Sequence, residues 1–279
     1  MFTEINNSKI WIDSEGKGET AIFLPSYGGN LHFQRLLPIE LREKYKLIFI
    51  EPRGSGRSEN NTKISFDVLA DDFETLRKDL NLKKIAIMGW SANGFLAFEY
   101  ALKYPQSVSH LILSGTPPHY KAELFEEQSK YWEVAASEKR KKIYEEQLSK
   151  FRKSDLSNLT DEEKIVGEYA ASGPKYWFNE NYDCKWIWEN NALKANALKM
   201  LFYELLSNYD PTSKFNSVEV PILILQGKHD YLVPHYMMEN HIDNFKKCTY
   251  HLFEQSGHYP FFEERELFLK VINKFLASK

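Results

Sequence analysis

The stretch KIAIMGWSANGFLAFEYALKYP, residues 84–105, decides how this chain is read. It opens on an apolar run, KIAIMG, and passes through Trp90, Ser91, Ala92 and Asn93 into a segment with apolar residues at helical spacing. A strand that is apolar almost throughout is covered on both faces, as strands of parallel sheets are. KLIFIE and PILILQ repeat the pattern. Strands are therefore expected at 9–13, 20–24, 46–51, 84–89, 110–115, 221–226 and 249–254. Helices are expected at 35–45, 66–80, 93–104, 237–245 and 263–277, with Asp71, Asp72, Glu74 and Lys78 on the exposed face of the second. This alternation defines an α/β chain with a doubly wound, mostly parallel sheet. It stops after Gly115. From Pro117 to Asn216 the sequence reads as helices with breaks, and Thr160 with Glu163 forms a capping-box pattern.

Ser91 stands where the strand ends and the helix begins. A sharp turn there crowds the serine backbone, and small flanking residues relieve the crowding; the pattern is G-x-S-x-G, the nucleophile elbow. Gly89 and Ser91 fit it, whereas position 93 is Asn and the second glycine is delayed to Gly94. Asn is expected to serve there because it tolerates unusual backbone angles. A serine that only caps a helix is the competing reading.

A serine hydroxyl needs a base, and the base needs an orienting acid. In this architecture the chain order is serine, acid, histidine, each at the carboxyl end of a strand. PILILQ is followed by GKHDYLVP, with Asp230, and TYHLFE by QSGHYPFFEE, with His258. Asp230 is expected to hold the tautomer of His258, and His258 to deprotonate Ser91. Among the other histidines, His32, His110, His119, His235 and His241 lack a partner pattern, and His229 and His251 lie in or beside strands. The oxyanion donors are expected to be the backbone N–H groups of Ala92 and of Tyr27, in the loop LPSYGGN. Each such donor is worth about 2.7–4 kcal/mol at a transition state.

The 279 residues, 43% hydrophobic, suffice for one large core. A net charge of -3 offers no basic excess for nucleic acid. The one dense basic run, residues 139–142, sits among glutamates and reads as a solvated helix face. Cys184 and Cys248 are too few for a disulfide framework, no apolar run reaches membrane-span length, and the polar N-terminus does not read as a signal peptide. A cytoplasmic protein is expected, with the sequons at Asn6, Asn60 and Asn158 chance matches.

LPSYGGN, IFIEPRGSGRSE, GWSANGFLAFEYALKYPQSVSHLILSG, ILILQGKHDYLVP and FEQSGHYPFFEE stand in family order, and through them the chain resembles the capped α/β-hydrolases, which include prolyl iminopeptidases, esterases, cofactor-free haloperoxidases and carbon–carbon bond hydrolases. The resemblance implies a core of residues 1–116 and 217–279, with a helical cap at 117–216. It implies a small ester or amide substrate, an acyl-enzyme, and no cofactor or metal. Where the family has His-Gly in the oxyanion loop, this chain has Pro25-Ser26. Glu51 and Arg53, in a loop nearest the iminopeptidase version, are expected to hold loops in place. The substrate pocket is expected to take Trp90, Gly28 and Tyr259 from the core and Trp132 and Trp177 from the cap. In iminopeptidases cap carboxylates bind the substrate amine, which makes Glu168, Glu180 and Glu189 the residues to inspect. Three alternatives stay open: release of N-terminal proline, a ligand-binding or signalling role with an idle triad, and a cofactor-independent lyase or carbon–carbon bond hydrolase.

Overall fold

A computed structural model describes residues 1–60 and 64–278, with no side-chain account of Asn30. Among the described residues eight strands form one sheet: β1 (Phe2–Ile5), β2 (Ser8–Glu15), β3 (Thr20–Pro25), β4 (Tyr45–Glu51), β5 (Ile85–Trp90), β6 (Val108–Ser114), β7 (Ile222–Gly227) and β8 (Cys248–Phe253). Their spatial order is β1-β2-β4-β3-β5-β6-β7-β8. The first two pairings are antiparallel and the remaining five parallel. β5 lies at the centre, and its residues are all buried. The strand order reverses around β3 and β5, and open α/β sheets place their sites at the carboxyl ends beside such a switch.

Each face of the sheet carries helices. Phe66–Asp79 and Gly94–Lys103 cover one face, with Leu69, Phe73, Phe95 and Phe98 in its core. Asn30–Leu36 and Arg265–Leu276 cover the other, with Phe33, Leu36, Phe268 and Ile272. Each such side chain, fully buried, contributes about 1.5–3 kcal/mol. Local chemistry sets the ends. The Ser65 hydroxyl accepts the Val68 N–H at 3.3 Å and starts the first of these helices.

The structure corrects the sequence reading in several places. β1 was not expected; Asn6 and Asn7, with φ of 47° and 60°, make the two-residue turn that pairs it with β2. The helix expected at 35–45 is split at Pro38, because Leu37 before the proline is held extended (φ -70°, ψ 138°). The helix expected at 237–245 is a short turn, His235–Glu239, followed by a 3₁₀ turn, Ile242–Asn244. Asp72 and Glu74 are buried instead of exposed. Asp72 takes two hydrogen bonds from the Arg53 guanidinium, at 2.9 and 2.8 Å. Glu74 takes bonds from Arg77 and from the Tyr100 hydroxyl. Arg140, read as part of a solvated face, is also buried.

Between β6 and β7 the only β pairing among the described residues is an isolated bridge joining Tyr120 to Tyr209. Helices Ala122–Ala135, Glu138–Lys153, Asp161–Ala171, Gly173–Tyr176 and Ala195–Lys199 occupy this insert. The capping box forms: Thr160 Oγ1 accepts the Glu163 N–H at 3.2 Å, and Glu163 accepts the Thr160 N–H at 2.8 Å. A 3₁₀ turn, Lys185–Trp188, and a π-helical turn, Met200–Leu205, interrupt the pattern. Arg140 binds the insert together, donating to the carbonyls of Pro174 and Trp177 at 2.8 Å each and to that of Phe178 at 2.5 Å. Cys184 and Cys248 are free thiols. No helix among the described residues is long and apolar enough to cross a membrane. The sequon at Asn60 runs into residues outside the described ones.

Candidate active site

The elbow is built by crowding. A Cβ on Gly89 would lie 2.4 Å from the Gly94 Cα, and one on Gly94 would lie 2.0 Å from Thr116 Oγ1. Both positions therefore exclude any side chain. Between them Ser91 is forced to φ 54°, a left-handed conformation that costs a non-glycine residue about 1–3 kcal/mol. The Thr116 hydroxyl donates to the Ser91 carbonyl at 3.1 Å and braces the turn. Strain of this kind lifts a side chain off the rim of the sheet. Asn93 adopts ordinary right-handed angles (φ -69°, ψ -14°), so backbone tolerance is not the reason asparagine stands there.

After β7 and β8 the chain brings Asp230 and His258 together, both fully buried. His258 Nδ1 lies 2.6 Å from Asp230 Oδ2, and Asp230 Oδ1 accepts the N–H groups of Leu232 and Val233 at 2.9 and 3.0 Å. The carboxylate is thus held on both oxygens, and it fixes a proton on Nδ1. The His258 backbone is held as firmly: its N–H donates to the Tyr176 carbonyl at 2.7 Å, and Trp90 Nε1 donates to its carbonyl at 2.8 Å. Gly115, at φ 55°, faces this pair; a Cβ there would lie 3.1 Å from His258 Nδ1. Ser91 and His258 thus both flank the Gly115–Thr116 turn. His258 Nε2 is buried with no hydrogen-bond partner, and Ser91 Oγ makes no hydrogen bond among the described residues. The expected serine–histidine hydrogen bond is not formed in this state. Such contacts often tighten only when substrate is bound.

The loop after β3 departs from expectation. Tyr27 N–H donates to Asn93 Oδ1 at 2.9 Å, inside the protein, and the Tyr27 hydroxyl donates to the Arg53 carbonyl at 3.0 Å. Tyr27 is therefore occupied on both ends and is not a free oxyanion donor. The Gly28 N–H makes no hydrogen bond among the described residues, and Gly28 lines the cavity beside Ser91, Ala92 and Asn93. Asn191 Nδ2 holds the Gly28 carbonyl at 2.8 Å. Ala92 occupies the first turn after the elbow, where backbone N–H groups lack an intrahelical acceptor. Beneath the loop, buried Glu51 accepts the Arg57 N–H at 2.6 Å, and Arg53 holds Asp72, so both brace loops.

The cavity at Ser91 has a volume of about 50 Å³. Gly28, His32 and Trp90 line it from the core, and Tyr169, Trp188, Leu193, Leu201 and Phe202 are among those lining it from the insert. His32, Tyr169, Leu193, Leu201 and Phe202 escaped sequence reasoning. His32 is 1% exposed, and burial holds its pKa down at about 4, so the ring is neutral near neutral pH. It stacks on Trp188 at 4.7 Å, and its Nδ1 lies 3.3 Å from the Gly29 carbonyl. Burial pushes the Tyr169 hydroxyl up to about 12, which keeps it neutral too. A helical signal marked the insert, but nothing in the sequence marked which of its faces would meet Ser91.

Trp132, Trp177 and Tyr259 do not line the cavity, and their expected place there is corrected. Trp177 is fully buried and stacked on Tyr259 at 4.1 Å with ring planes 12° apart. Trp132 packs edge-on against Tyr231 at 5.0 Å. Each of these two tryptophans therefore grips the tyrosine that follows Asp230 or His258. The candidate amine-binding carboxylates also lie elsewhere. Glu180 pairs with Lys139 at 2.7 Å, Glu189 is exposed, and Glu168, paired with Arg152 at 3.5 Å, lines a neighbouring cavity and not the one at Ser91. No acidic side chain lines the cavity among the described residues.

A family model described as alpha/beta hydrolase fold matches residues 21–265, so the chain belongs to the α/β-hydrolase family. It is an enzyme of that family, a hydrolase. The "AB hydrolase superfamily protein YclE" of Bacillus subtilis is 25% identical, over 94% of this chain and 93% of its own. "Proline iminopeptidase PfmaB" of Pestalotiopsis fici is 26% identical over 99% of both. The solved structure of an esterase from Exiguobacterium antarcticum superposes with a TM-score of 0.72 at 20% identity, covering 100% of this chain and 99% of that one.

Proposed function

We propose that the protein is a serine hydrolase that cleaves a small ester through an acyl-enzyme, with Ser91 as nucleophile, His258 as base and acid, and Asp230 as the orienting carboxylate. The observation that carries this reading is the buried His258–Asp230 pair, whose second ring nitrogen is left without a partner on the rim that carries the strained Ser91. In the first step Ser91 Oγ bonds to the ester carbonyl carbon as its proton passes to His258 Nε2. The developing oxyanion is received by the N–H groups of Ala92 and Gly28. The acyl C–O bond then breaks, and the leaving alkoxide takes the proton from Nε2. Water attacks the acyl-enzyme with His258 as base, releasing the acid and restoring the serine. Asp230 steadies the imidazolium. The segment 117–216 acts as a cap over this site, on a core formed by 1–116 and 217–279.

Release of N-terminal proline is the second reading, and the name of the Pestalotiopsis relative favours it. The cavity speaks for the ester: a substrate ammonium calls for a carboxylate, and the lining is apolar and aromatic with neutral polar groups. The test has two arms. A fluorophosphonate should label the protein at Ser91, and Ser91→Ala should abolish labelling while the fold is kept; an unlabelled, well-folded protein would refute the serine mechanism. Acetyl and butyryl esters should be turned over and a proline anilide should not; the reverse preference would replace the ester reading by the peptidase one.

A further inference from the structure

A second cavity, of about 430 Å³, adjoins the one at Ser91. The two share Ile165, Tyr169, Leu198 and Phe202, which form the partition between them. Resting on the serine-hydrolase reading, we propose that the partition divides the substrate: a short acyl group fills the inner cavity, and a larger, amphipathic alcohol moiety fills the outer chamber.

Direction comes from the chemistry of the step. The leaving oxygen must meet the acid that protonates it, so the alcohol lies on the His258 side. Tyr176 lines the outer chamber; its carbonyl accepts the His258 N–H, and its ring lies 6.1 Å from the imidazole. The inner cavity holds Gly28 and Ala92, so the carbonyl oxygen and the acyl chain lie there.

Size sets the classes. A water occupies about 10–15 Å³ on the scale that gives the inner cavity about 50 Å³, which leaves room for an acyl chain of roughly two to four carbons. The outer volume falls within the range of sites for whole small molecules, about 300–1,000 Å³. Its interior is apolar, while Glu168 and Lys199 stand on its lining and suit a polar far end. Phe202 is one of the two aromatic side chains of the partition. It is half-buried, stacks on Tyr120 at 5.6 Å, and belongs to the π-helical turn Met200–Leu205. Turns of this kind are rare and recur at functional sites.

The experiment uses two series of alkyl esters followed by pH-stat, whose alcohols have similar leaving ability. With ethanol as the alcohol, kcat/KM should fall about tenfold or more from butyryl to octanoyl; with acetyl as the acid, it should hold or rise from ethyl to 2-phenylethyl. Phe202→Ala should join the chambers and bring the octanoyl ester to within about threefold of the butyryl ester. Leu198→Ala opens the same partition and should shift the profile in the same direction should the first variant fold poorly. Fluorophosphonate titration counts the active sites in every preparation. A flat acyl profile in labelled wild-type enzyme, a strong preference for ethyl over phenylethyl, or partition variants with the wild-type profile would overturn the division and leave the hydrolase reading standing. Absence of labelling at Ser91 would remove that reading itself.

Discussion

Two arginines, one in the sheet core and one in the insert, are buried to almost the same degree yet work in different ways. Arg53 is paired with the carboxylate of Asp72, and its carbonyl accepts the Tyr27 hydroxyl of the loop after β3. Arg140 instead spends its guanidinium mainly on neutral backbone carbonyls, binding residues 174–178 as a strap. From that strap Tyr176 accepts the His258 N–H and Trp177 stacks on Tyr259. The core arginine thus holds a fold that would exist without a substrate, while the insert arginine holds the wall against which the candidate base rests. The site is made by the core but shaped and steadied by the insert.

That contrast is sharpest at the reacting group. Ser91→Ala should lower hydrolysis by about 10⁴–10⁶-fold without lowering the melting temperature, since the side chain makes no hydrogen bond among the described residues. A variant retaining a tenth of the activity would assign the chemistry elsewhere. Asp230→Asn should follow, with kcat reduced by about 10⁴-fold. Asn keeps the acceptor for Leu232 and Val233 but loses the charge that steadies the imidazolium, so the fold should survive, as circular dichroism would show.

The two arginines supply the direct comparison. Arg53→Met leaves Asp72 buried without its main partner and should cost about 3–5 kcal/mol of stability in denaturant titrations, with kcat per labelled site almost unchanged. Arg140→Met leaves carbonyls unsatisfied and should cost about 1–3 kcal/mol, but with a clear loss of kcat per labelled site. Equal losses of kcat in both would erase the division between core and insert.

A further effect concerns pH. His32 has a folded pKa of about 4, below the unfolded value near 6.5, so the folded state binds fewer protons. Its contribution is fully present above pH 6.5 and is lost as the pH falls towards 4, to a total of about 3 kcal/mol. His32→Leu should flatten that part of the stability–pH curve. An unchanged curve between pH 7 and 4 would show that this ring does not carry the dependence.

The strands of the core were legible because period and composition speak locally. Residues 85–89 and 222–225 are buried on both faces and carry no polar residue to confuse them. Asn6-Asn7 was a hairpin signal that went unread, and β1 went with it. The burial of Asp72 was not legible: a carboxylate in a helix reads as exposed until Arg53, nineteen positions earlier, is brought beside it. For the same reason Trp132 and Trp177 were assigned to the pocket while Trp188 and His32, which line it, were not. Aromatic residues in a helical segment announce burial, not the surface against which they are buried.

The sequence by itself determined that a serine, an acid and a histidine would stand at the ends of β5, β7 and β8, because strand ends follow from apolar runs and turns within a few residues. Only the tertiary structure decided that Asn93 would take the Tyr27 N–H, that the insert would grip Tyr231 and Tyr259, and that the cavity would be lined without a carboxylate. Those contacts join residues tens of positions apart, and their geometry depends on how whole helices pack, which no local pattern encodes.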